Sequence, residues 1–161
     1  MSTVTVSREI AAPPQEVFRV FSDLHGCADR ITGIMRAEVL TDGPIGAGTR
    51  WRETREMFGR EHSEEMEITR FDPPHGYLVE AESCGCHYYT EFKFTPTGTG
   101  TRAEMSFRGE PVTLMAKLMM PIGQLFSGSL VRMIEQDLDD LKCAIESSET
   151  SVPPAATDAS G

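Results

Sequence analysis

The reactive side chains of this sequence concentrate between Trp51 and Tyr88. In RWRETREMF (50–58), Glu53 and Arg55 alternate with Trp51 and Met57. A strand repeats every two residues, so these four side chains share a face. If that face is interior, the charges must pair, or Arg55 must meet a ligand carboxylate or enolate through its two-pronged donor edge. If a bulge after Trp51 reverses the register, both charges stand in water, because Arg52, Thr54 and Glu56 are no more apolar.

In the next strand Met66 and Ile68 mark the inner face, and period two carries Glu64 and His62 to the same side near its open end. A histidine beside carboxylates suits a general base near neutral pH; the plainer reading is a wet residue on a rim. Arg55, His62 and Glu64 are therefore the catalytic candidates. Tyr88, Thr90, Phe92 and Phe94 share one face of a later strand, where the rings either floor an apolar pocket anchored by the Tyr88 hydroxyl or simply pack a core.

Cys84-Gly85-Cys86-His87 is the one metal-like cluster, yet Cys27 and Cys143 are solitary and no second cysteine pair exists. A thiol pair at a turn is the expected role, with no metal and no cofactor. Gly43-Pro44-Ile45-Gly46-Ala47-Gly48-Thr49 lacks the lysine of a phosphate loop and leads into a strand, so it reads as a hairpin turn.

The elements that position these residues follow from periodicity. Thr3 to Ile10 alternates as a strand, with Arg8 breaking its apolar row; Pro13-Pro14 then opens a short helix over 15–21, and a second short helical piece is expected over 24–31. Strands are expected at 35–41, 50–58, 63–71, 76–83, 86–95 and 101–108, joined by turn residues such as Asp42-Gly43-Pro44 and Thr97-Gly98-Thr99-Gly100, which makes an antiparallel meander. In the last of them Ala103, Met105 and Phe107 face one way. Leu114, Leu118, Ile122, Leu125, Phe126, Leu130, Ile134, Leu138, Leu141 and Ile145 then recur at spacings of three and four, the stripe of a long amphipathic helix that Pro121 should kink or divide. Met115, Met119 and Met120 sit beside that proline as gap-fillers or as a gate. The acidic runs Glu61 to Glu67 and Glu135 to Asp140 are expected as solvated faces.

The chain has 161 residues, 39% hydrophobic and 25% charged, which suits one domain over 1–147 followed by a disordered tail over 148–161. A net charge of -10 argues against nucleic acid and anionic membrane surfaces as partners. No stretch reaches the roughly 20 apolar residues of a membrane span, and the first residues lack a targeting pattern, so a cytoplasmic location is expected.

Four stretches, in order, carry a family resemblance: Ile10-Ala11-Ala12-Pro13 with Val17-Phe18 and Phe21-Ser22-Asp23; Gly46-Ala47-Gly48-Thr49-Arg50-Trp51; Phe71-Asp72-Pro73-Pro74; and Gly100-Thr101-Arg102. With the closing Leu138-Asp139-Asp140-Leu141-Lys142, the chain resembles the bacterial polyketide cyclase/dehydrase-like proteins, which share the helix-grip fold with START lipid-transfer domains and the birch pollen allergen. The resemblance implies an α+β fold, a curved antiparallel sheet of seven strands around a long C-terminal helix, with Trp51 pointing into a cavity between them. It brings no invariant catalytic residue. The implied ligand-binding set is Trp51, Glu53, Arg55, Met57, Met66 and Ile68 on two strands, Tyr88, Phe92, Met105 and Phe107 on two more, and Leu118 and Ile122 on the helix. The expected function is binding or transport of an apolar, lipid- or polyketide-like molecule by a monomer or homodimer. The alternatives are a cyclase, aromatase or dehydratase, and a protein-interaction module.

Overall fold

The computed structural model describes residues 3–123 and 127–149, apart from the side chains of 120–123, 127 and 149. Strand β1 (Val4–Ile10) leads into helices α1 (Pro14–Phe21) and α2 (Cys27–Arg30). Strands β2 (Ile34–Val39), β3 (Arg50–Met57), β4 (Arg60–Asp72), β5 (Gly76–Ser83), β6 (Cys86–Pro96) and β7 (Thr101–Pro111) follow, then helices α3 (Leu114–Gly123) and α4 (Ser127–Glu149). The strands form one sheet in the order β1-β7-β6-β5-β4-β3-β2, and every neighbouring pair is antiparallel. The meander is the one read from the turn signals.

Two tight hairpins set one end of the sheet. Met57 pairs with Arg60 and Ser83 with Cys86, leaving the two-residue turns Phe58-Gly59 and Cys84-Gly85. All four turn residues have positive φ, at 53°, 74°, 51° and 75°, the left-handed backbone that two-residue hairpins favour. Phe58, expected in the strand, instead sits at a turn tip, and β4 starts three residues earlier than its alternation suggested. Cys84-Gly85 is thus the turn expected of it.

α1 buries Val17, Phe18, Val20 and Phe21. Phe18 meets Phe71, Tyr77 and Phe94 edge-on at centroid distances of 5.0, 5.8 and 5.7 Å, and Tyr77 stacks on Phe92 at 4.4 Å. The Tyr77 hydroxyl donates to the Phe21 carbonyl at 3.0 Å, so the one polar atom of this aromatic plug is satisfied. α2 is shorter than its pattern predicted, because Gly26 precedes it and the backbone at Ile31 turns extended.

α4 lies on the sheet through Ile134, Leu138, Leu141 and Ile145, each at most 4% exposed, at the four-three-four spacing of one helix face. The expected stripe runs over two helices, α3 and α4, so of the two outcomes expected, a kink or a division, it is divided. Pro121 lies inside α3, and the intervening residues 124–126, with Leu125 and Phe126, fall outside the described residues. α4 continues through Ser148 and Glu149, past the expected start of the tail; 150–161 lie outside the described residues.

Candidate functional site

The face of β3 expected to turn inward does so. Trp51 is 4% exposed, and the Glu53 and Arg55 side chains are 14% and 16% exposed. The bulge in this part of the sheet falls on β2, between Ile34 and Arg36, and leaves the alternation of β3 intact. Thr54, on the opposite face, is also buried and shares a hydrogen bond of 2.7 Å with Ser63.

The buried charges pair. Arg55 Nε donates to Glu53 Oε1 at 2.5 Å, and its Nη1 and Nη2 donate to Asp137 Oδ1 and Oδ2 at 3.1 and 2.8 Å. The Trp51 indole N–H reaches the other Glu53 oxygen at 3.5 Å. Burial works against the Arg55 charge, yet the two carboxylates hold its pKa above the ordinary value. Burial pushes Asp137 upward, against the pull of Arg55 and helped by Glu53 and Asp140. A methyl group added at Gly33 would come within 3.0 Å of Arg55 Nη1, so the bare glycine lets the guanidinium lie against the backbone.

Of the two alternatives for an interior face this is the ion pair, and the other, an Arg55 left free to meet a ligand carboxylate or enolate, does not hold. All three of its nitrogens are engaged, and two carboxylates more than balance its charge. The same arrangement corrects the solvated reading of the acidic run on α4 at Asp137. Asp137 is buried under Arg55, Asp139 takes Arg8 Nε at 2.7 Å, and Asp140 accepts the Thr32 N–H at 2.8 Å. The signals were present: Asp137 lies inside the apolar stripe, three residues past Ile134 and four before Leu141, and Arg8 interrupts an inner-facing row that then needs a carboxylate.

His62 and Glu64 stand on β4 directly across from Arg55 and Glu53. Both are exposed, at the hairpin end of the inner face. Met66, across from Trp51, is half-buried. Farther along the sheet Tyr88, Thr90, Phe92, Met105 and Phe107 are half-buried too, and Tyr88 stacks on Phe107 with centroids 5.6 Å apart. Burial, followed by the nearby Cys86 thiol, pushes the Tyr88 hydroxyl up to about 12, with Glu64 and Cys84 adding to it. Tyr88 at neutral pH is thus a donor, never a phenolate.

Three expected members lie elsewhere than a pocket wall. Ile68 is fully buried in the core, Met57 ends its strand 37% exposed, and Leu118 is 74% exposed on α3. The Ile122 side chain falls outside the described residues. The expected enclosed hollow is replaced by two unlike halves. Near α1 the aromatic plug fills the space, whereas toward α3 the inner face stands open, because Leu114, Met115, Leu118 and Met119 project into solvent at 84, 69, 74 and 50% exposure and do not cover it. Two open depressions, of about 460 and 390 Å³, lie along Ala11–Pro14 with Pro96–Gly100 and along Arg70, His75, Phe92 and Lys93.

Among the described residues no cluster of histidine, cysteine and carboxylate side chains is arranged to hold a metal. His87 points the other way from Cys86, with its ring nitrogens 2.8 Å from Glu80 and 3.4 Å from Glu82. No helix among the described residues is long and apolar enough to cross a membrane.

Solved structures share this fold across nearly the whole chain. TTHA0849 from Thermus thermophilus is 24% identical with a TM-score of 0.69, covering 91% of this chain and 99% of that one. The di-domain ARO/CYC StfQ from the steffimycin biosynthetic pathway is 12% identical with a TM-score of 0.75, covering 92% of this chain and 51% of that one. Ara h 8.0201 is 16% identical with a TM-score of 0.63, covering 91% and 98%. No curated protein matches the chain. The architecture is the helix-grip fold, and a family model described as polyketide cyclase / dehydrase and lipid transport matches residues 1–146. The chain belongs to that polyketide cyclase, dehydrase and lipid transport family.

Proposed function

We propose that this protein binds an apolar small molecule against the inner face of β4, β6 and β7, with α3 as a cover that closes over it. One observation carries the reading. The inner-face residues Met66, Phe92, Met105 and Phe107 are left half-buried, and α3, which follows directly from β7, leaves four large apolar side chains in water. Unburied apolar surface of that extent costs roughly 25 cal/mol per Å² and marks a surface awaiting a partner. A ligand between the two satisfies both. Tyr88 and Thr90 supply polar anchors at its edge, and Glu64 and His62 flank the opening. Family membership supports the same reading, since the family's description includes lipid transport.

The test uses Trp51, the single tryptophan. An apolar dye such as anilinonaphthalene sulfonate is titrated into the protein with Trp51 emission as the readout, and native mass spectrometry follows protein purified without denaturation. Saturable quenching, displaced by a long-chain fatty acid, supports the reading. Neither saturable quenching nor retained mass would remove it.

A catalytic reading of the same surface rests on Tyr88, whose neutral hydroxyl can donate to a substrate carbonyl beside Glu64. The structural similarity to the di-domain ARO/CYC StfQ favours testing it with polyketide-like substrates. Arg55 has no part in that reading.

A further inference from the structure

The two edges of the sheet are treated differently. β1 is tied to α4, where Asp139 takes Arg8 and the Lys142 ammonium donates to the Glu9 carbonyl. β2 pairs with β3 on one side and, among the described residues, with nothing on the other. An uncovered edge strand presents a row of unused backbone donors and acceptors.

The register shows which amides are unused. The Leu40 N–H donates to the Arg50 carbonyl at 2.8 Å, so in an antiparallel pair the amides of Leu40, Glu38 and Arg36 point toward β3. Those of Ala37 and Val39, out of phase, point to the open edge. The charges along this edge are complementary when the strand is reversed. Antiparallel pairing of β2 with its own copy about Ala37 sets Ala37 against Ala37, using the outward amides. It sets Arg36 against Glu38 and Glu38 against Arg36. It also sets Met35, the bulged residue, across from Val39, with Leu40 of the other copy one place farther along. Met35 and Leu40, apolar side chains flanking the charged pair on this edge, are 48% and 39% exposed.

We propose that β2 is a homodimer edge, through which two copies continue one sheet across a two-fold axis. The contact is isologous and closes at two copies. The bulge before Arg36 on one side and the turn after Leu40 on the other keep the paired run short, which prevents open-ended stacking. A single strand pair with flanking side chains lies at the small end of specific interfaces, so the dimer is weak and reversible. The edge is independent of the ligand reading.

Sedimentation equilibrium of the full chain, followed to about 500 μM, reads the association directly. The wild-type mass rises toward that of two chains. R36E alone, or E38R alone, sets like charges opposite each other twice per dimer and lowers the association constant by about ten-fold or more. The double variant R36E/E38R restores the complementarity and brings the constant back to within about three-fold of wild type. The in-chain partners of these residues, Glu61 and Arg52, lie at 3.6 Å on the exposed surface, so neither substitution unfolds the monomer. A37P removes an outward amide that β3 does not use and also breaks the dimer. A monomer at every concentration, or a dimer indifferent to the single reversals and to A37P, overturns the proposal.

Discussion

Arg55 of β3 grips Asp137 of α4 with both terminal nitrogens, joining sheet to helix across 82 residues of sequence. Removing one member of a buried pair strands the other's charge. Asp137→Ala, which keeps the Arg55–Glu53 pair but strips the partner from both terminal nitrogens, is expected to lower the unfolding free energy by about 1.5–3 kcal/mol. Arg55→Leu, which leaves Glu53 and Asp137 facing each other with no cation, should cost more, about 3–5 kcal/mol. The triple replacement of Glu53, Arg55 and Asp137 by apolar residues of similar volume should cost far less than either single change. Urea titrations of the four proteins make the comparison.

Leu138 is fully buried between α4 and the sheet. Leu138→Ala should cost about 2–5 kcal/mol, because the helix cannot collapse into the space left by the side chain. Lys142→Ala, on the same helix but more exposed, should cost well under half of that, as seen in the midpoints of parallel denaturation curves.

His87 and Glu80 set a pH window. The hydrogen bond to Glu80 raises His87 from 6.5, while burial of Glu80 is outweighed by His87 and Thr69, which lower it from 4.5. The raised histidine contributes stability below 6.5 that is lost as pH climbs through its folded value; the lowered carboxyl contributes above 4.5 and is lost on acidification. The contribution of the pair peaks between those values. Melting temperatures compared at about pH 5.5 and pH 8 should show a gap between wild type and His87→Gln at the lower pH that shrinks at the higher one.

Thiol accessibility separates the cysteines. Burial pushes the Cys27 thiol up to about 11 and its S–H donates to the Leu24 carbonyl, whereas Cys84 and Cys143 are exposed. Maleimide at neutral pH should label Cys84 and Cys143 within minutes and Cys27 only at the rate of global opening. Peptide mapping after timed quenching distinguishes the sites, and rapid labelling of Cys27 would contradict the packing of α2.

Leu118→Ser, at a side chain already in water, should leave the melting temperature within about one degree. If α3 covers a ligand, the same change should weaken dye or fatty acid binding about three-fold or more through loss of one apolar contact. Phe107→Ser, on the sheet side, should weaken it further.

Alternation and turn chemistry carried most of the fold. The meander and the buried stripe of α4 follow from periods of two and 3.6, because one covered face imposes that pattern on local sequence, whereas for β3 the period alone left open whether its Trp51 face is interior or reversed by a bulge. The pairing of Arg55 with Asp137 was not legible. Parity put the arginine on the side of Trp51 but could not say whether that side is interior or which distant carboxylate would reach it. Asp137 sat in a run of acids that composition assigns to water, and its position within the apolar stripe was the available clue. The open inner face was hidden for another reason: the apolar residues of α3 fit a core pattern, and whether such a helix is seated depends on tertiary contacts that spacing does not encode.

The plug around Tyr77 gives the molecule a firm end and a yielding end. Folding is secured by rings that interlock and a hydroxyl that is spoken for, so residues nearer α3 are released from that duty. Side chains at the yielding end can therefore change without loosening the foundation.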